Sequence, residues 1–108
     1  MSDAVIRRWD ATMARADVDA WVETFRARVL PGMRAVNGFR GVSFFARCND
    51  DPCHVMVLTK WRDLAAIASF AGDQPNRTVL PEFMAKFFKT YDEEATFYDE
   101  VLREDGDE

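Results

Sequence analysis

Cys48, Cys53 and His54, the chain's two cysteines and its single histidine, fall within seven residues and raise metal binding or nucleophilic catalysis first. They supply at most three ligands in poor geometry, because residues 53 and 54 of an extended segment point to opposite faces. The same opposition separates a Cys53 thiolate from a His54 base. No metal site is expected. The cysteines read as reduced thiols on either side of a turn, with a disulfide as the alternative.

Arg7 is the more informative charge. In residues 5–13, VIRRWDATM, the side chains of Val5, Trp9, Ala11 and Met13 alternate onto one side of a strand with Arg7 among them, and Ile6, Arg8, Asp10 and Thr12 take the other. A guanidinium on an apolar side either snorkels to water at a sheet edge or holds something. Tyr91 and Tyr98 are candidate proton donors, whereas Asp92, Glu93, Glu94, Asp99 and Glu100 read as a solvated acidic strand edge. His54 alternates with Met56 and Leu58, which places it on the second face of its strand, at a surface or a dimer interface.

The elements that position these residues centre on residues 54–72. Val55, Val57, Thr59 and Trp61 share one side of a strand and Met56 and Leu58 the other, so the strand lies mid-sheet. After Trp61, Leu64, Ile67, Ala68 and Ala71 recur at helical spacing, and Gly72 stands at the helix C-cap. Earlier in the chain, Asp17 is a plausible N-cap for a helix carrying Val18, Trp21, Val22, Phe25, Val29 and Met33, with Pro31 and Gly32 expected to kink or end it. A turn at Asn37-Gly38 leads into a second strand from Phe39 to Cys48, with Val42, Phe44 and Ala46 on one face and Phe39, Gly41, Ser43 and Phe45 on the other. The polar turn Asn49–Pro52 makes a hairpin with the third strand. Residues 72–80 read as a loop long enough to cover a pocket, and Pro81 opens a short helix whose stripe is Phe83, Met84, Phe87 and Phe88. A fourth strand is expected from Tyr91 to Leu102, and residues 103–108 as a disordered acidic tail beyond a single domain spanning 1–102.

Composition narrows the functional classes. The 108 residues carry a formal net charge of -5 with no uncompensated Lys/Arg cluster, which argues against nucleic acid. No apolar run approaches the roughly 20 residues needed to span a bilayer, and no signal peptide is evident, so a cytoplasmic protein without a membrane partner is expected. Nine Phe and three Trp make the prospective core strongly aromatic, which suits a small core or a ligand cavity.

Strand, helix, strand, strand, helix, short helix, strand is the split βαβ order of an α+β ferredoxin-like sandwich: a four-stranded antiparallel sheet with two main helices on one face. The uncovered face keeps half of each strand's apolar residues, and such a face marks an association surface. A homodimer with the two sheets packed face to face, a dimeric α/β barrel, is expected.

Residues VIRRWDATM, NGFRGVSFFAR and VLTKWRDLAAIASFAGD, followed by RTVLPE and FYDEV, resemble the antibiotic biosynthesis monooxygenase family of the dimeric α/β barrel superfamily over nearly the whole chain. The resemblance implies a cofactor-independent monooxygenase acting on a small electron-rich aromatic such as a phenol, a quinol or a polyketide-like ring. A non-catalytic dimeric binding or stress-associated module of the same fold is the alternative. In the family a Trp at the position of Trp61 lies beside the cavity between sheet and helices. On that reading Trp61 and Arg77 are the catalytic candidates, and Arg7, Trp9, Phe70 and Tyr98 line the substrate site. Arg7 or Arg77 would supply the positive charge that holds a phenolate. The haem-degrading relatives carry a first-strand Asn, a late-helix Trp and a following His, none of which aligns here; Phe70 stands at the late-helix position. Haem ligation would fall to His54, a Tyr or a Cys, so neither haem nor another cofactor is expected.

Overall fold

The strand at the centre of the sequence forms as β3 (Cys53–Trp61), between β1 (Val5–Met13) and β2 (Phe39–Arg47) and antiparallel to both. The structure, a computed structural model, describes residues 4–72, 76–78 and 80–106. The two faces of β3 have different fates. Val55, Thr59 and Trp61 are buried under the helices, while Met56 and Leu58 are only half-buried on the open face.

Both main helices cover the same side, as the order of elements predicts. A single 3₁₀ turn at Arg15–Asp17 leads into α1 (Val18–Arg28), with Asp17 at the N-cap position but making no capping bond. Of the kink or end expected near Pro31, the helix takes the end. Val29 separates α1 from a short α2 (Leu30–Arg34), where Pro31 occupies the first turn, the one place a residue without an N–H costs nothing. After β3, α3 (Leu64–Ala71) is capped at both ends: Asp63 accepts from the Ala66 N–H at 2.9 Å, and the Gly72 N–H donates to the Ala68 carbonyl at 2.8 Å. A further short helix, α4 (Glu82–Ala85), follows Pro81.

Of the strand expected from Tyr91 to Leu102, only Thr96–Asp99 and the single residue Tyr91 are in strands, and a strand also forms just before it, at Phe88–Tyr91. Both β4 (Phe88–Tyr91) and β5 (Thr96–Asp99) pair antiparallel with β1, one beside its Ala11–Met13 end and the other beside Val5–Arg8, giving a five-stranded sheet. Between them the backbone turns to other partners: the Thr78 N–H donates to the Glu93 carbonyl at 3.0 Å, and Arg77 bridges Glu94. Three consecutive carboxylates, Asp92 to Glu94, are poor strand formers, and the break lets them face outward. Phe88 therefore belongs to a strand, not to the stripe of the short helix.

A bulge corrects the face of Phe39. Phe39 lies opposite Trp61 and Gly41 opposite Lys60, so Arg40 is an extra residue and Phe39 turns to the helix side with Val42 and Phe44. There its ring meets Trp61 edge-on at 5.3 Å.

The cysteines are joined, contrary to the reduced thiols expected. Arg47 pairs with His54, so Cys48 and Cys53 are the next opposed residues, and with their Cα atoms 4.4 Å apart they form a disulfide across the turn. The Arg15 guanidinium donates to the Cys48 carbonyl, and the Arg15 N–H to Asp51 Oδ1 at 3.1 Å, pinning the turn to the start of α1.

Part of the covering loop read over 72–80 lies outside the described residues, as do residues 107 and 108 of the tail. Val101 to Gly106 are exposed and belong to no strand or helix. Among the described residues no helix is long and apolar enough to cross a membrane.

Candidate functional site

Between the sheet and the helices lies a small, partly open cavity of about 60 Å³. Its walls are apolar and aromatic: Trp21 and Phe25 from α1, Phe44 from β2, Phe70 from α3, Met84 from α4 and Phe88 from β4. Trp21 stacks on Phe44, with ring centroids 4.3 Å apart and planes 8° from parallel. At one end of α1, Arg28 lies over the Phe83 ring at 3.8 Å and ties that helix to α4.

Three side chains bring polarity to this space. Arg7, on the helix-facing side of β1, is only 7% exposed and donates from Nη2 to the Arg77 carbonyl at 2.6 Å. Burial pushes its pKa below the ordinary arginine value, although a guanidinium keeps its proton in any protein setting. Thr59 lies directly across from Arg7 in the β1–β3 ladder and is 2% exposed. Its Oγ1 accepts the Trp61 indole N–H at 2.8 Å and lies 3.5 Å from the Arg7 carbonyl. Thr78 stands at the rim, accepting from the Trp9 indole N–H at 3.0 Å and donating to the Asp92 carbonyl. The Trp9 N–H also reaches that carbonyl, at 2.6 Å, so the indole is fixed by its polar edge while its ring lines the cavity.

Of the residues the sequence reading nominated, the fold gathers Arg7, Trp9 and Phe70 around this cavity. Trp61 is wholly buried behind it, packed on Phe70 at 5.4 Å and bonded to Thr59, and belongs to a second core cluster with Ala66 and Ile67. Arg77 meets Arg7 through its backbone carbonyl. The Arg77 residue borders an open depression of about 730 Å³ shared with Tyr91, Asp92, Glu93 and Glu94. Tyr98 pairs with Ile6 on the far face of the sheet and is half exposed. Thr59 and Thr78 were not nominated. The signal for Thr59 was a hydroxyl in an otherwise apolar row, Val55, Val57 and Trp61; for Thr78 no local signal exists, since its partners are 69 and 14 residues away.

The far face carries its own polar group. Asp10 accepts two hydrogen bonds from Arg8, at 2.9 and 3.0 Å, and contacts His54 Nε2 at 2.8 Å. The Arg8 bonds, with a smaller contribution from His54, hold the Asp10 carboxyl below the usual carboxylate range. His54 is thus on the face its alternation indicates and away from the cavity. Among the described residues no three His, Cys, Asp or Glu side chains are grouped to hold a metal ion.

The open depression is larger but acidic and solvent-exposed. The smaller cavity between sheet and helices has apolar walls and a desolvated cation, the features of a small-molecule site.

Solved structures share this fold. A candidate antibiotic biosynthesis monooxygenase from Bacillus cereus superposes with a TM-score of 0.67 at 15% identity, covering 95% of this chain and 98% of its own. A protein of Shewanella oneidensis gives 0.64 at 13% identity over 93% of each chain. SnoaB, a cofactor-independent oxygenase from Streptomyces nogalater, gives 0.57 at 14% identity over the whole of both chains. No curated protein sequence matches. Residues 5–74, which carry β1 to α3 and with them Arg7, Trp9, Thr59 and Phe70, match a known family, and on that match the chain belongs to the antibiotic biosynthesis monooxygenase family.

Proposed function

We propose that this protein is a cofactor-independent monooxygenase acting on a small electron-rich aromatic, a phenol, quinol or polyketide-like ring. The observation that carries the reading is the buried Arg7 guanidinium facing an aromatic-walled cavity in a chain of this family. A guanidinium retains its proton and favours an ionised ring oxygen beside it. The ionised ring is electron-rich enough to pass an electron to O₂. Recombination forms a carbon–oxygen bond, and loss of water from the hydroperoxide leaves a ring carbonyl. A ring CH₂ thereby becomes C=O, one oxygen atom enters the product and the other leaves as water, with no external reductant.

At about 60 Å³ the cavity holds a few waters. Pockets that enclose drug-sized ligands start at roughly 300 Å³, so a substrate enters by displacing a wall. The half-buried Leu80 and Phe70 are the residues to move. The test is oxygen uptake with anthrone-like and quinol substrates and no added flavin, nicotinamide or metal. Uptake above the uncatalysed rate is expected, falling at least about tenfold in Arg7→Met, the scale of a lost charge-assisted hydrogen bond. No uptake by wild type across the panel, or undiminished uptake by the variant, overturns this assignment.

A non-catalytic binding module is the second reading. One observation favours it: among the described residues every buried side-chain nitrogen or oxygen has at least one hydrogen-bond partner without a substrate. Haem degradation has less support, because among the described residues no His, Cys or Tyr lines the cavity.

On either reading the open sheet face is the proposed seat of a second copy. Ile6, Met56 and Leu58 are half-buried there, and Phe45 and Tyr98 stand 47% and 50% exposed. Light scattering on the eluted protein is expected to give twice the chain mass. A stable monomer at micromolar concentration would refute the dimer.

A further inference from the structure

The Thr59 hydroxyl has a fixed acceptor role on one side and a poorly used proton on the other. An indole N–H can only donate, so across the 2.8 Å contact Trp61 gives and Thr59 receives. Among the described residues the Thr59 proton then has only the Arg7 carbonyl, 3.5 Å away, at the outer limit of a hydrogen bond. With 2% of the residue exposed, bulk water does not take it. A buried donor this weakly engaged gains from any acceptor that comes within reach, and a hydroxyl already receiving a hydrogen bond is the better donor for it. Thr59 faces the cavity directly across the ladder from Arg7.

We propose that Thr59 and Arg7 together form a subsite for an acceptor-only oxygen, an ionised phenol or a ring carbonyl, with Trp61 as the positioning residue that aims the Thr59 proton from behind. The proposal rests on the aromatic-ligand reading of the cavity and adds to it the group by which the ligand is selected. Both side chains are donors that line the same cavity. An ionised oxygen accepts from each, whereas a ring without that oxygen accepts from neither.

The probe is p-nitrophenol, whose coloured phenolate reports its own ionisation, with nitrobenzene as the same ring lacking the hydroxyl. Bound to wild type, p-nitrophenol is expected to titrate about one pH unit lower than in solution, which is a tenfold preference for the anion. It is also expected to bind about tenfold tighter than nitrobenzene. Thr59→Ser keeps the shift and Thr59→Val loses most of it. Because Thr59→Val also strands the Trp61 N–H, the double variant Thr59→Val/Trp61→Phe removes both partners; it should fold well and still lack the shift. Trp61→Phe alone should lose part of it, an effect that mere packing by Trp61 would not produce. Equal binding of the two probes, an unshifted titration, a Thr59→Val variant indistinguishable from wild type, or no binding of either probe overturns the subsite. The titration consumes no oxygen, so failure of the oxygenase reading shows separately, as absent uptake by protein that still binds the probe.

Discussion

Trp61→Ala is expected to lower folding stability by about 3–5 kcal/mol, the usual cost of emptying a large buried aromatic site. Trp61 is fully buried, with Phe39 and Phe70 against its ring and Ala66 and Ile67 in the same cluster, and truncation also removes the donor to Thr59. Small domains hold only about 5–15 kcal/mol in total, so the variant should unfold at markedly lower denaturant concentration. Trp61→Phe keeps most of the volume and should remain folded. A midpoint for Trp61→Ala within about 1 kcal/mol of wild type would show that the residue is not the core element its packing indicates. The contrast bears on function, since lost activity in Trp61→Ala alone reports folding, and only the Phe variant reports chemistry.

Gly38→Ala is expected to cost about 2–4 kcal/mol, read from the same denaturation curves. Gly38 holds φ +101°, and a Cβ there would sit 2.7 Å from the Ala66 Cβ, closer than side chains approach. The conflict cannot be relieved cheaply. Ala66 is in the first turn of α3, where its N–H is held by Asp63, and the Gly38 carbonyl accepts the Arg62 N–H at 2.7 Å. The turn before β2 and the start of α3 are thus one packed unit. A double variant, Gly38→Ala with Ala66→Gly, should recover the steric part and leave the backbone strain; an unaltered midpoint for Gly38→Ala would contradict the close approach.

Much of this architecture is legible in the sequence because the relevant signals are local. Period-two alternation placed Arg7 with Trp9 and Met13, and His54 with Met56, on the sides they occupy, and Gly72 marked the end of α3. What escaped depends on partners distant in the chain. The split into β4 and β5 follows from pairing with residues 77 and 78, and the reversal of Phe39 from one extra residue at Arg40 that only the facing strand reveals. Alternation could put Arg7 on the apolar side but not say whether it snorkelled out; its burial follows from the Arg77 carbonyl and the helices above it. The cysteines were read by compartment, whereas hairpin register brought them together. For the site, the aromatic walls were visible as residue types, but which aromatics face the cavity and which stand behind it is a matter of packing.

The place of β1 in the sheet also sets a timetable for the nascent chain. The first strand to be made is an inner one, with β3 on one side and the β4–β5 pair on the other. Its N-terminal half, Val5 to Arg8, finds its last neighbour in Thr96–Asp99. Synthesis must therefore pass Asp99 before β1 is flanked on both sides, and Arg7 has no route to burial against the Arg77 carbonyl until residue 77 has emerged. The topology commits the domain to closing as a whole, with its earliest residues waiting on its latest.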